Sequence, residues 1–323
     1  MQQIISKLIG LYLNILAVIA PRRAGRLGFE LFCYPFRTKI NSFQREFLES
    51  ADRFTIPSKG EVIQAYRWGN GPKNILFLHG WQSHTYRWKR YIESLDKNEY
   101  TIYSIDAPAH GLSTGKFMTV PIYCEAIRRM ISQIGKIHTV VSHSLGSFTA
   151  IYTFYERPDL VPEKLVTMAC PGEAREFFDF YQSKLGLTQR CLDLTIASFK
   201  EEVKQIPDFY SAPSFAEHLT IPGLIIHDEE DTEAPVKHSK AIHRRWKNTT
   251  LYITKGFGHN LRSNEIIEKT RDFIDRDPVE ADPLPLSNLN LSRRRGNTEA
   301  SSTANAQEGY VNIGTSSRTK KNS

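Results

Sequence analysis

The chain has 323 residues, 40% of them apolar, and a formal net charge of +7. That is enough to bury one large core or two smaller ones, which excludes a chain too polar to fold. The charge lies at the ends: residues 1–40 hold six Lys/Arg and one acid, residues 279–323 hold six and four, and the stretch between is neutral. A neutral middle lacks the basic stripe that nucleic acid requires, so no nucleic-acid partner is expected.

The first candidate element is IISKLIGLYLNILAVIA (4–20). Gln3, Lys7, Gly10 and Asn14 recur at intervals of 4, 3 and 4, which places them in one narrow stripe of a helix. Arg22, Arg23 and Arg26 follow. The polar stripe and the short apolar length argue against a spanning helix, and Val18 suits cleavage poorly. Three readings compete for this N-terminal segment (1–40). Residues 1–26 lie peripherally in an anionic membrane interface, pack on their own domain, or, as the least favoured reading, form a signal or spanning anchor. Four scattered cysteines with no C-x-x-C pair give no sign of an oxidising compartment, so the expected setting is the cytoplasm, at the inner face of a membrane.

From residue 53 to 277 strands alternate with helices. RFTIP and EVIQAYRW flank Ser58-Lys59-Gly60 as a hairpin. NILFLHG (74–80) is continuously apolar, as a parallel strand covered on both faces should be. A helix with Trp88, Tyr91, Ile92 and Leu95 on one face follows, then the strand TIYSID (101–106). The next helix starts after Thr119, with Pro121 in its first turn, and ends at Gly135. Then come strand HTVVS, helix LGSFTAIYTFYE, the strands KLVTMAC, GLIIHD and TLYIT, and a last helix near Ser263. This order predicts an α/β fold: a mostly parallel central sheet with helices on both faces. About fifty residues after Cys170 contain two amphipathic helices, too long for an ordinary connection. They predict a helical cap at about 171–218. The tail 278–323, rich in Pro, Ser, Asn and Thr, is expected to be disordered.

The segment VVSHSLGSF (140–148) ends a strand and enters a helix with more polar groups than one cap needs. Ser144 is therefore either a helix cap or a placed nucleophile. Ser142-His143-Ser144-Leu145-Gly146 resembles the G-x-S-x-G nucleophile elbow of the α/β-hydrolase superfamily, with Ser142 in place of the first glycine. Three further segments carry the resemblance over roughly residues 53–277. His79-Gly80-Trp81 resembles the family's HG-x oxyanion loop, and Asp106-Ala107-Pro108-Ala109-His110-Gly111-Leu112-Ser113 resembles its D-x-P-G-H-G-x-S loop. Gly256-Phe257-Gly258-His259 resembles the loop that carries the catalytic histidine.

The resemblance implies a helical-capped α/β-hydrolase of the serine esterase or lipase kind. Ser144 would be the nucleophile, His259 the base, and the N–H groups of Trp81 and Leu145 the oxyanion donors. The acid would come from Asp228, Glu229, Glu230 or Asp231. His227-Asp228-Glu229-Glu230-Asp231-Thr232-Glu233-Ala234-Pro235 resembles H-G-x-x-D-x-x-V-P, which selects Asp231 and puts Asp228 at the glycine position. His79 is read as a structural loop histidine; His84, His138, His143, His218, His238 and His243 are read as surface or loop residues without an assigned role, His143 alone being kept open as a neighbour of the nucleophile.

The expected reaction is cleavage of a small acyl ester or thioester through an acyl-enzyme, with no cofactor and no metal. Serine at the elbow argues against the aspartate-dependent chemistries of the fold. The rival readings are another serine-dependent chemistry (peptidase, C–C hydrolase, perhydrolase) and a non-catalytic binding protein of the same fold. Gly69-Asn70-Gly71 precedes a strand and is read as a turn, not a dinucleotide loop. Aromatic residues of the cap (Phe177, Phe178, Phe180, Tyr181, Phe199, Phe209, Tyr210) either line an apolar acyl pocket or pack the cap itself.

Overall fold

A computed structural model describes residues 2–276. The expectation for the tail 278–323 lies outside the described residues.

The strands are β1 (Asp52–Ser58), β2 (Glu61–Trp68), β3 (Lys73–Leu78), β4 (Tyr100–Ile105), β5 (Thr139–His143), β6 (Lys164–Met168), β7 (Gly223–Asp228) and β8 (Thr249–Thr254). They form one eight-stranded sheet in the order β1-β2-β4-β3-β5-β6-β7-β8. The hairpin β1–β2 and the pair β2–β4 are antiparallel, and every pairing from β4 to β8 is parallel. The chain leaves β3 for β4 on one side and returns to β5 on the other, so the strand order reverses at β3. In such sheets ligands bind beyond the carboxyl ends of the strands at that reversal.

The helices are α1 (Gln2–Ile19), α2 (Pro21–Phe32), α3 (Ser42–Glu49), α4 (Lys89–Ser94), α5 (Val120–Ile134), α6 (Leu145–Glu156), α7 (Ala174–Leu185), α8 (Gln189–Val203), α9 (Ala212–Ala216), α10 (Lys237–Arg245) and α11 (Asn264–Asp275). Their starts follow the sequence. The Thr119, Thr188 and Ser263 hydroxyls cap α5, α8 and α11 by accepting the N–H of Ile122, Cys191 and Ile266. The sheet separates two cores. On β3, Leu76 and Leu78 face the core beneath α5 and α6, while Ile75 and Phe77 face the core beneath α4 and α11. Period-two alternation with both faces apolar is why this strand reads as one continuous apolar run.

The segment between β6 and β7 carries α7 and α8, with α9 packed against α6 and α10. Helices α1 and α2 lie on α7 and α8. Aromatic rings make that contact: Phe32 of α2 stacks on Phe178 at 4.2 Å, Phe29 meets Phe199 edge-on, and Phe178 meets Phe199. Phe178, Phe199 and Tyr210 are thus spent on packing, and Phe180 is exposed.

The polar stripe of α1 points inward. Lys7 Nζ donates to Ser183 O (2.9 Å), and Asn14 Nδ2 donates to Gly186 O (2.9 Å). Asn14 Oδ1 accepts from the N–H and the hydroxyl of Thr188. Gly10 lies against the Leu185 carbonyl. The stripe therefore satisfies the backbone groups between α7 and α8, where the end of one helix and the start of the next leave unpaired groups. Leu13, Leu16 and Ala17 are buried beside it. Ile4, Ile5, Leu8, Leu11, Tyr12, Ile15, Val18 and Ile19 face out, with Val18 68% and Ile19 73% exposed. No helix among the described residues is long and apolar enough to cross a membrane.

Candidate active site

Ser144 stands between β5 and α6 with φ 52° and ψ −124°, a conformation a non-glycine residue adopts only under constraint. Such a turn costs on the order of 1–3 kcal/mol and projects the side chain clear of the sheet edge. Its backbone is pinned, because Ser144 N–H donates to Met168 O at 2.8 Å. Neighbours must approach closely. A Cβ on Gly146 would lie 2.5 Å from His79 O and 2.6 Å from Leu78 O, and one on Gly80 would lie 2.8 Å from Ser144 Cβ. Ser142 fits where a glycine was expected because its hydroxyl donates to Val166 O (2.8 Å) on the neighbouring strand.

As the residue before α6, Ser144 occupies the cap position, yet its side chain makes no capping bond. Instead Ser144 Oγ lies 2.9 Å from His259 Nε2, and His259 Nδ1 lies 2.8 Å from Asp231 Oδ2. Asp231 Oδ2 fixes the proton on Nδ1, which leaves Nε2 as an acceptor for the serine hydroxyl. The carboxylate is fully buried and the imidazole nearly so.

Asp231 is well furnished with donors. Its Oδ1 accepts from the N–H groups of Glu233 (2.8 Å) and Ala234 (2.9 Å), and His227 Nε2 lies 3.3 Å from Oδ2. Burial alone would raise its pKa; hydrogen bonds from His227, His259 and the Ala234 N–H outweigh that and hold it well below the usual carboxylate range. The other acids of this loop point elsewhere. Glu229 and Glu230 face Lys255. Asp228 accepts from Phe257 N–H (3.0 Å), the Thr254 hydroxyl (2.8 Å) and Glu230 N–H (3.0 Å), so it fastens the base of the His259 loop without touching the imidazole.

That loop is held at two more points. His143 Nε2–H donates to His259 O at 2.8 Å, and Arg87 donates to Asn260 O at 2.9 Å. Burial, then the nearby Arg87 and His259, push the His143 pKa well down, so the ring is neutral and keeps one proton for this bond. Sequence reading kept His143 open as a neighbour of the nucleophile but missed these contacts and placed His84, His138, His143 and His238 on surfaces or loops; all four are buried. No local pattern could have revealed them, because Arg87 and His143 meet the loop from 173 and 116 residues away.

Trp81 and Leu145 flank the serine. Leu145 is the first residue of α6, so its N–H points out of the helix start, and Trp81 follows Gly80 at the end of β3. Among the described residues neither N–H donates to a protein acceptor. Phe177 of α7, half-buried, meets Phe148 of α6 edge-on.

A mostly parallel sheet with a serine on a strained strand-to-helix turn, beside a histidine delivered by a later loop, defines the α/β-hydrolase architecture. A family model described as "Serine aminopeptidase, S33" matches residues 71–175. An esterase of Mycobacterium tuberculosis is 27% identical over 262 residues, covering 66% of this chain and 87% of that protein. Two solved structures share the fold. One is a protein of Acinetobacter baumannii described as a lipase, with TM-score 0.58, 18% identity, and 73% of this chain and 96% of that chain covered. The other is a bacterial membrane phospholipase A, with TM-score 0.56, 17% identity, and 83% and 97% covered. The chain has the α/β-hydrolase fold and is similar to esterase- and lipase-like enzymes of that fold.

Proposed function

We propose that the protein is a serine hydrolase that cleaves carboxylic esters or thioesters by way of an acyl-enzyme on Ser144. The observation that carries this reading is the continuous chain from Asp231 Oδ2 through His259 to Ser144 Oγ, with contacts of 2.8 and 2.9 Å. Ser144 Oγ attacks the acyl carbon while His259 Nε2 takes its proton. Asp231 holds the Nδ1–H and stabilises the imidazolium. The carbonyl oxygen, now negative, is received by the Trp81 and Leu145 N–H groups, helped by the start of α6. His259 passes its proton to the departing alcohol or thiol, leaving acyl-Ser144. A water, deprotonated by the same nitrogen, then releases the carboxylic acid and restores the serine. The similarity to an esterase over most of the described chain favours ester over peptide substrates.

The test is a fluorophosphonate probe with intact mass and peptide mapping. The wild type should gain one adduct, on Ser144. Equal labelling of Ser144→Ala would refute the assignment.

The same reading places the enzyme at a membrane surface through residues 1–26. The support is the outward apolar face of α1, followed by the exposed Arg22, Arg23 and Arg26. Apolar side chains enter the acyl boundary and arginines meet anionic headgroups. Full-length protein should float with vesicles containing phosphatidylserine, and a chain lacking residues 1–22 should not. Failure of the full-length protein to bind would sink this part alone.

A further inference from the structure

The loops after β3 and β4 exchange histidines. His79, from the first loop, places Nδ1 2.8 Å from Gly80 O, so Nδ1 carries the proton and Nε2 accepts the Ala107 N–H of the second loop (2.8 Å). His110, from the second loop, places Nδ1 2.9 Å from Pro108 O, so its Nε2 accepts the Gln82 N–H of the first (3.1 Å). The rings lie 5.4 Å apart and are all but fully buried.

Gly80 C=O and Trp81 N–H belong to one planar peptide unit, so the bond from His79 to Gly80 O sets the direction of the Trp81 N–H. Gln82 N–H belongs to the following unit, which His110 holds. Both peptide planes around Trp81 are thereby fixed, at a point where Gln82 has the strained φ of 50°. The Trp81 ring adds an edge-on contact with His110 at 5.4 Å.

We propose that His79 and His110 form a reciprocal clamp of positioning residues that aims the Trp81 N–H at the developing oxyanion. The inference rests on Trp81 serving as an oxyanion donor in the hydrolase proposed above. Each ring can do this only with Nε2 unprotonated, since a second proton would set N–H against N–H. Burial disfavours that proton in both rings, and the His110 pKa falls to about 4.

The test uses the full-length protein and p-nitrophenyl butyrate. His110→Asn keeps a donor for Pro108 O but loses the acceptor for Gln82; His110→Gln restores an acceptor near the Nε2 position. Complete removal of an oxyanion donor costs on the order of 10²–10³ in kcat, and a misaimed one should cost about 10- to 100-fold. Lower kcat for His110→Asn with KM within about threefold, and recovery in His110→Gln, would support the clamp. Affinity for a boronic acid, which presents a tetrahedral oxygen to the same donors, should fall in step. A His79→Asn, His110→Asn double variant should lose less than the product of the single losses.

Wild-type kcat in a folded His110→Asn, or unchanged boronate affinity, would overturn the clamp. The wild type itself provides a check that needs no variant: nitrogen-15 NMR should find both rings as the Nδ1–H tautomer, and an Nε2–H tautomer in either would overturn it. Ser144→Ala separates the layers. If it is inactive while His110→Asn is normal, only the clamp fails; if it turns over substrate, the hydrolase reading fails and takes the clamp with it.

Discussion

Replacing Asp231 with Asn changes one atom, and the structure dictates where that atom goes. Oδ1 accepts the Glu233 and Ala234 N–H groups, so the amide oxygen must stay there; the opposite flip would set an NH₂ group against two backbone donors. The amide nitrogen then faces His259 Nδ1, now 2.8 Å from Asp231 Oδ2. A donor in that place forces the imidazole to turn its lone pair toward position 231 and its proton toward Ser144. Nε2–H cannot accept the serine proton, and the imidazolium loses its counter-charge. The expected loss in kcat/KM is roughly 10²- to 10⁴-fold, or about 3–5 kcal/mol of transition-state stabilisation. Asp228→Asn is the control. Its carboxylate holds Phe257, Thr254 and Glu230 without touching His259, so the expected loss is within about tenfold. The assay is steady-state turnover of p-nitrophenyl butyrate, with urea midpoints measured for each variant so that lost fold is not read as lost chemistry. A crippled Asp228→Asn beside a near-normal Asp231→Asn would refute the reasoning.

Acid should weaken the fold through His110. Burial lowers its pKa from 6.5 to about 4, against a raising contribution from Asp106, with Arg37 and His84 also near. Between those values the unfolded chain binds a proton that the folded one refuses. This share of stability is therefore complete above pH 6.5 and is lost as pH falls toward 4, up to about 3 kcal/mol in total. Urea midpoints at pH 7, 5.5 and 4.5 should fall less steeply in His110→Gln than in the wild type, and equal slopes would count against it. Gly146→Ala would drive a Cβ to 2.5 Å from His79 O, a backbone atom with no rotamer to yield. We expect a loss of about 1–3 kcal/mol with reduced turnover, and an unchanged thermal midpoint would mean that the turn has room to open.

The order of strands and helices was legible because each element carries its own period and its own ends. NILFLHG has no polar interruption because both faces of β3 are covered, and Thr119 with Pro121 marks the start of α5 in the chain itself. The motifs around Ser144 and His259 were legible for a similar reason: a sharp turn needs small residues at fixed offsets, and those offsets are local. Other features were not local. Asn14 reads as a polar break in an apolar helix, and only packing against the turn at 186–188 makes that stripe the inner face. Asp228 and Asp231 stand three residues apart with the same chemistry, and sequence could choose between them only by analogy. Which carboxylate meets His259 depends on how the loops after β7 and β8 converge, and which histidine serves the site depends on loops that the sheet brings together. The sequence alone determines what repeats along the chain, because periodicity and turn chemistry are set by near neighbours. Hydrogen bonds between residues more than a hundred positions apart, such as His143 to His259 O, exist only after the strands have paired, so tertiary structure alone decides them.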